Sequence, residues 1–517
     1  MKKLLAVLVA LVLATGGLTP ADVRIFTRPL PPSRDVLQRL SLTQAWTLRI
    51  PVLGQRDGLF SVQLLPAKAG MQLIVQTFSG AVILLDAETG DTLWRTTVGD
   101  PFAEGQPVGY NSSSIFTTRQ DNLYILNRAN GRQRVWTLGK ITERVNYGFI
   151  LQHAPSAMPV ADEENIFFCL ENRVTAYEIP DWSLIEKTTK EEEGDPKTDS
   201  PQPELSWSYL SGEFHFEKPP LWTASQIGVV ATDGTFLSIN KFKDTPRESR
   251  VRFDYQFHGN VSAAMGQHGE IAYIGSEDAT LYALNMINGR LVWRFLSGTP
   301  ILRQPAVIDK DVFVTSSRSR GMFRVDRDTG REIWRNKEAE QYLASNKKFV
   351  YATDRRGQLL VMDLARGVSM ARYDMSEYLL PISNEWTDRI YFANHDGQML
   401  CLRHRDNVAP LQTKTLEVKK KPPKEDKKPP KDEKKPPEPK DKEPEKEKEK
   451  DARNFGPLRL QIADCRLQIE RPRAIRRTAD FFELAVYQLA FWDRRFFNLQ
   501  SAICYLQLEF PRCVPGA

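Results

Sequence analysis

Between residues 271 and 296 the apolar positions come in short runs that alternate with polar ones: IAYIGSE, then LYALN, then RLVWRF, parted by Asp278-Ala279 and by Ile287-Asn288-Gly289. Alternation at a period of two, enriched in Val, Ile, Phe and Tyr, predicts half-buried strands, and the turn residues between the runs predict hairpins. Glycine at the second turn supplies a positive φ that a β-branched residue would hold only under strain. The same pattern returns at VILLDAETGDTLW (82–94), LYILNRANGRQRVW (123–136) and MFRVDRDTGREIW (322–334). Gly90 and Gly131 lie 41 residues apart, as do Gly289 and Gly330. A fixed period near 40 residues, each unit built of short strands, predicts a propeller or a solenoid.

Weaker units keep the register at 165–179, 227–239, 349–367 and 389–402, which brings the total to eight. Between them SVQLL (61–65), NVSAAM (260–265), QPAVI (304–308) and LLPIS (379–383) are candidate innermost strands. The eighth unit runs from Leu402 into HRDNVAPLQTK without a tryptophan strand, while Ala45-Trp46-Thr47-Leu48-Arg49-Ile50 is a tryptophan strand with no unit before it. Pairing the two closes a ring and removes both exposed sheet edges. The expected fold is therefore all-β, an eight-bladed propeller over 45–410 whose last blade is completed by an N-terminal strand carrying Trp46.

AxNxxNGRxxW (283–293), VDRDTGREIW (325–334) and LDAETGDTLW (85–94) resemble the repeats of the pyrroloquinoline-quinone (PQQ) type β-propeller family. The resemblance covers roughly 45–405, and implies eight blades with Trp94, Trp136, Trp293 and Trp334 docked between neighbours. A propeller blade must bury both faces of its sheet, and a large flat side chain fills the wedge beside it. The dehydrogenases of this fold use, by resemblance, adjacent cysteines beside the quinone together with acidic and Asn ligands for calcium. No Cys-Cys occurs here: the propeller holds Cys169 and Cys401, each inside an apolar strand pattern that reads as a small buried hydrophobe. The resemblance points instead to an outer-membrane assembly factor propeller.

Charge refines this picture. Residues 1–418 hold 47 Lys and Arg against 48 Asp and Glu, so the net +6 of the chain arises in the C-terminal fifth. A neutral body lacks the basic face that nucleic acid requires. Met1-Lys2-Lys3 followed by LLAVLVALVLA has the charged start and short apolar core of a secretory signal, assigned to 1–20, with an uncleaved membrane anchor as the alternative. Residues 21–44 read as an N-terminal extension. Five widely spaced cysteines form neither a disulfide framework nor a CxxC pair, and the six histidines include no HxxxH. No cofactor or metal site is expected, and His395-Asp396, before Gly397, reads as part of a blade turn.

The segment 187–204, between Trp182 and Trp207, is rich in Pro, Glu, Asp and Thr and predicts a solvated insertion, either a partner-binding arm or a tolerated surface loop. Residues 411–453 are a linker in which Pro-Pro recurs at 422, 429 and 436 among lysines and acids, the composition of an extended, charged spacer. Residues 454–517 contain nine arginines and no lysine; 478–497 fits one amphipathic helix, and a segment without a selected role is the competing reading. The chain is thus expected to be an exported, periplasmic or extracellular, monomeric scaffold without catalysis. Its partners are other envelope proteins, with membrane contact through its N-terminal segment or C-terminal helix; a quinoprotein-type oxidoreductase is the alternative.

Overall fold

In the computed structural model the described residues are 29–54, 56–68, 70–134, 148–182, 201–317 and 321–415. They form eight four-stranded antiparallel sheets, seven of them made of four strands consecutive in sequence. The eighth has the spatial order Leu42–Arg49, Gln398–His404, Ile390–Ala393, Leu380–Ile382, so that its outer strand comes from the N-terminal end of the fold. Trp46 lies opposite Cys401 and Arg49 opposite Gln398, in antiparallel register. The ring is closed as the unowned tryptophan strand predicted. The innermost strand of the fifth blade is an exception: it is Gly266–His268 rather than 260–265. Val261 and Met265 are buried, but in the segment that crosses between blades, where apolar side chains can alternate without a ladder partner.

The apolar core divides into eight clusters, each shared by two adjacent blades. Second and third strands such as Ala81–Asp86 and Ser114–Arg119 are buried along nearly their whole length because a neighbour covers each face. Outer strands such as Thr92–Thr97 alternate, with Trp94 inward and Leu93 and Arg95 outward. Each outer tryptophan sits at a bulge in the ladder: Trp94 faces Leu84, Trp293 faces Ala283 and Trp334 faces Arg324, with the register shifting at the next pair. A bulge re-aims the side chain it carries.

What these tryptophans touch is not the glycine of their own repeat but that of the next blade. Trp46 Nε1 donates to the Ala87 carbonyl at 3.0 Å, Trp94 to Arg128 at 2.9 Å, Trp293 to Arg327 at 2.8 Å and Trp334 to Leu364 at 2.7 Å. In each case the ring lies on the glycine of that turn. A Cβ on Gly330 would stand 2.6 Å from Trp293, and one on Gly367 would stand 2.4 Å from Trp334. Gly90 and Gly131 stand in the same relation to Trp46 and Trp94, and Phe253 replaces tryptophan above Gly289. Trp207, beyond the insertion, donates to the Lys241 carbonyl at 2.7 Å in the fourth blade. Trp136, most of the 187–204 segment, the signal, residues 416–453 of the linker and the C-terminal segment lie outside the described residues; the first five linker residues, 411–415, are ordered against the ring instead of forming part of a free spacer.

Two junctions are built differently. The outer strand of the seventh blade, Ser369–Asp374, has Ala371 at the tryptophan position, opposite Val361. The short helix Arg34–Arg39 lies here, and its Val36 and Leu37, with Leu40 and Leu42 beyond it, pack into the same cluster as Ala371, Val361 and Tyr378. Between the eighth and first blades, Tyr391 Oη joins Trp46 Nε1 in donating to the Ala87 carbonyl. Arg389, 0% exposed, donates Nε to Glu88 Oε2 at 2.9 Å and reaches Asp388 and the carbonyls of Asn407 and Val408 with its other nitrogens. Burial raises the Glu88 pKa above its ordinary value against the opposing pull of Arg389.

Trp293→Ala, which empties one wedge, is expected to lower unfolding free energy by about 3 to 5 kcal/mol in urea titration; an unchanged midpoint would contradict the docking role. Arg389→Met removes one partner of a buried network and leaves Glu88 and the Val408 carbonyl without their donor, and a loss of about 3 to 5 kcal/mol is expected. A neutral result there would show that the apolar contacts close the ring unaided.

Candidate functional site: the turn-face mouth of the central channel

An antiparallel meander puts the first and third turns of each blade on one face of the ring and the remaining connections on the other. The innermost strands line a central channel with cavities of about 510 and 770 Å³. Its polar wall residues are largely engaged in stitching blades together. Gln304 donates to the Met265 carbonyl at 3.1 Å, Gln341 to Pro381 at 3.0 Å and Gln267 to Trp222 at 2.8 Å, while Gln63 accepts from the Val108 amide at 3.0 Å. With its amides so occupied, the smaller cavity presents aromatic, thioether and proline surface: Tyr110, Trp222, Trp386, Met158, Met265, Pro159, Pro219 and Pro220.

Asx-type turns hold the rim. Asn111 Oδ1 accepts the amides of Ser113 and Ser114, Asp162 Oδ1 those of Glu164 and Asn165, and Asn384 Oδ1 those of Trp386 and Thr387. Asp162 Oδ2 also accepts from Lys241 Nζ at 2.7 Å, a buried pair between the third and fourth blades. Arg128 lies 5.6 Å from the Tyr110 ring centroid and donates to the carbonyls of Pro66 and Asn111. Burial pushes the Tyr110 hydroxyl up to about 12, with Arg128 opposing, so it remains a neutral donor at physiological pH.

Beyond His404 the chain runs as a strap from the eighth blade to the sixth across this face. Asp388 accepts from Asn407 and from the Leu411 amide, Thr387 bridges Gln412, and the Thr413 amide donates to the Trp386 carbonyl. Lys414 Nζ meets Glu385 Oε2 at 2.5 Å and lies 5.2 Å from the Trp386 ring. The Thr415 amide and hydroxyl both reach Asp309, which also contacts His268 Nε2 at 3.1 Å. Burial alone would raise Asp309, but the hydrogen bonds from Thr415 and His268 outweigh it and hold the carboxyl below its ordinary value.

Among the described residues none of the tryptophans of the repeat motif lines this mouth; Trp46, Trp94, Trp293 and Trp334 sit in the outer wedges. Cys169 and Cys401 lie fully buried in the third and eighth blades, with burial pushing the Cys169 thiol up to about 12 and Cys401 higher still. His395 and Asp396 shape a blade connection: His395 Nδ1 contacts the Leu59 carbonyl, and Asp396 accepts the Gln398 amide. The strap and Arg389 escape sequence reading because neither belongs to the periodic pattern. The arrangement at the mouth offers aromatic, thioether and proline surface to an apolar ligand.

The Asp309 anchor has a definite pH dependence. Its carboxyl titrates lower in the folded chain, so its contribution is present above the ordinary Asp value near 3.9 and is lost as pH falls through the folded value. Hydrogen-exchange protection of the Thr415 amide is expected to drop below about pH 4, and Asp309→Asn to flatten the profile; equal protection factors at both ends of the range would contradict the anchor.

Comparison with known proteins follows the ring. A curated outer membrane protein assembly factor BamB of Shewanella oneidensis is 26% identical over 147 residues, a match spanning 26% of this chain and 36% of that relative's length. The crystal structure of BamB from Moraxella catarrhalis superposes with a TM-score of 0.50 at 15% identity, over 70% of this chain and 97% of that one, a likeness of fold. The family model described as outer membrane protein assembly factor BamB matches residues 36–190 and 221–417, which together take in every strand of the ring except the outer strand of the third blade, Glu204–Leu210, and the chain belongs to that family.

Proposed function

We propose that this protein is an exported, non-catalytic scaffold of the cell envelope that holds other proteins during outer-membrane protein assembly. The observation that carries this reading is the family match along 36–190 and 221–417. Two further features support it. Met1-Lys2-Lys3 and the apolar run to Ala14 have the form of an export signal, which supports a ring outside the cytoplasm. The ring also presents many short turns on a rigid frame, the usual platform for binding. Catalysis by a quinone is disfavoured by the two cysteines of the ring, Cys169 and Cys401, which are separate and buried in sheets rather than adjacent at a channel mouth.

Chemical crosslinking in the native envelope, with the full chain and with residues 454–517 deleted, tests the proposal. Subunits of an outer-membrane assembly machine are the expected partners of both forms. A partner list confined to cytoplasmic proteins, or none above background, would overturn it. Purified protein mixed with PQQ and Ca²⁺ is expected to show no dye reduction with alcohols or sugars; turnover would move the protein into the oxidoreductase class.

A further inference from the structure

The turn-face mouth has the composition of a proline-binding groove, and the chain leaves the ring at that same place. We propose that Lys419–Lys427, the first stretch of the lysine- and proline-rich tether, docks back into the mouth, with Pro422-Pro423 against the faces of Tyr110 and Trp222. This goes beyond the envelope reading and stands or falls separately from it.

The wall supplies what polyproline recognition uses. Tyr110, Trp222 and Trp386 offer flat aromatic faces, and Met158 and Met265 fill between them. A polyproline II segment has no internal hydrogen bonds to lose and little entropy to surrender, so apolar stacking suffices to hold it. Tyr110, the only one of these side chains with a titrating group, stays a protonated hydroxyl at neutral pH and can donate to a carbonyl of the docked segment.

Reach and charge select this occupant. Lys414 and Thr415 themselves line the cavity, so the tether starts at its edge. Six residues lie between Thr415 and Pro422, and the seven steps between them at about 3.1 Å each allow roughly 22 Å of travel. The rim carries Glu163, whose carboxylate accepts from the Ser112 amide and hydroxyl and has lone pairs left for an ammonium group. Lys419, Lys420 and Lys421 precede the prolines and Lys424 follows them. A linker this short gives an effective concentration of about 1 mM, so that even a contact with a dissociation constant near 0.1 mM would be roughly nine-tenths occupied.

The test uses the full chain with the photoreactive residue p-benzoylphenylalanine in place of Glu425. Irradiation is expected to give crosslinks concentrated on the mouth, at Met158 and Met265, and the double substitution Pro422→Ala with Pro423→Ala to reduce them at least fivefold. Those prolines lie outside the ring, so an unchanged melting curve shows that the loss is not unfolding. Crosslinks scattered over the ring surface, or a mouth yield indifferent to the alanines, would overturn the proposal. Mixing ¹⁵N-labelled and unlabelled protein separates the remaining case: products joining heavy and light chains would make the occupant a second copy, also contrary to the proposal.

Discussion

The structure depends on one contact made again and again: an outer-strand tryptophan laid over the turn glycine of the next blade, its indole N–H on a carbonyl of that turn. A four-stranded blade cannot bury its own faces, and the core is accordingly eight wedges rather than one mass. The ring binds each wedge to the next, and a contact made across the junction fixes spacing and angle together. Glycine is required in the turn for two reasons that coincide at Gly330: a φ of +71° and an indole where a Cβ would stand. Sequence separation hides this pairing, because the tryptophan four residues after Gly90 or Gly330 belongs to a different wedge.

Where the contact is missing, other parts of the chain take its place. Ala371 leaves the seventh wedge short of a side chain, and Leu37 and Leu40 enter it from the N-terminal side. The closing junction has its indole contact but must also resist opening, since no peptide bond joins the outer strand of the last blade to the rest of that blade. There Arg389 draws three separate pieces together: Glu88 of the first blade, Asp388 of the last and the backbone of the strap. The strap continues that bracing as far as the sixth blade.

How much of this was legible in the sequence follows from what is periodic. The eight units, the turn glycines and the closing strand at Trp46 could all be read because each repeats or completes a repeat. Trp207 was harder, since an insertion separates it from its unit and erases the spacing. The innermost strand of the fifth blade was displaced by a few residues because 260–265 shows strand-like alternation while serving as a buried crossing. Arg389, the strap and the channel mouth could not be read at all: each depends on which distant turns the ring brings together, and an arginine before a strand looks the same whether exposed or sealed. The mouth itself is composed of prolines, methionines and aromatics from separate blades, none of which forms a motif along the chain.

The indole-on-glycine contact is tested most directly by a double-mutant cycle on Trp334 and Gly367, where a Cβ would lie 2.4 Å from the ring. Strain from the positive φ of Gly367 is the same with or without the tryptophan, so the cycle isolates the contact across the junction. The account predicts that Gly367→Ala costs less in the Trp334→Ala background than in the parent, with a coupling of about 1 to 3 kcal/mol. Additive losses, within about 0.5 kcal/mol, would show that the two groups do not hold the wedge together.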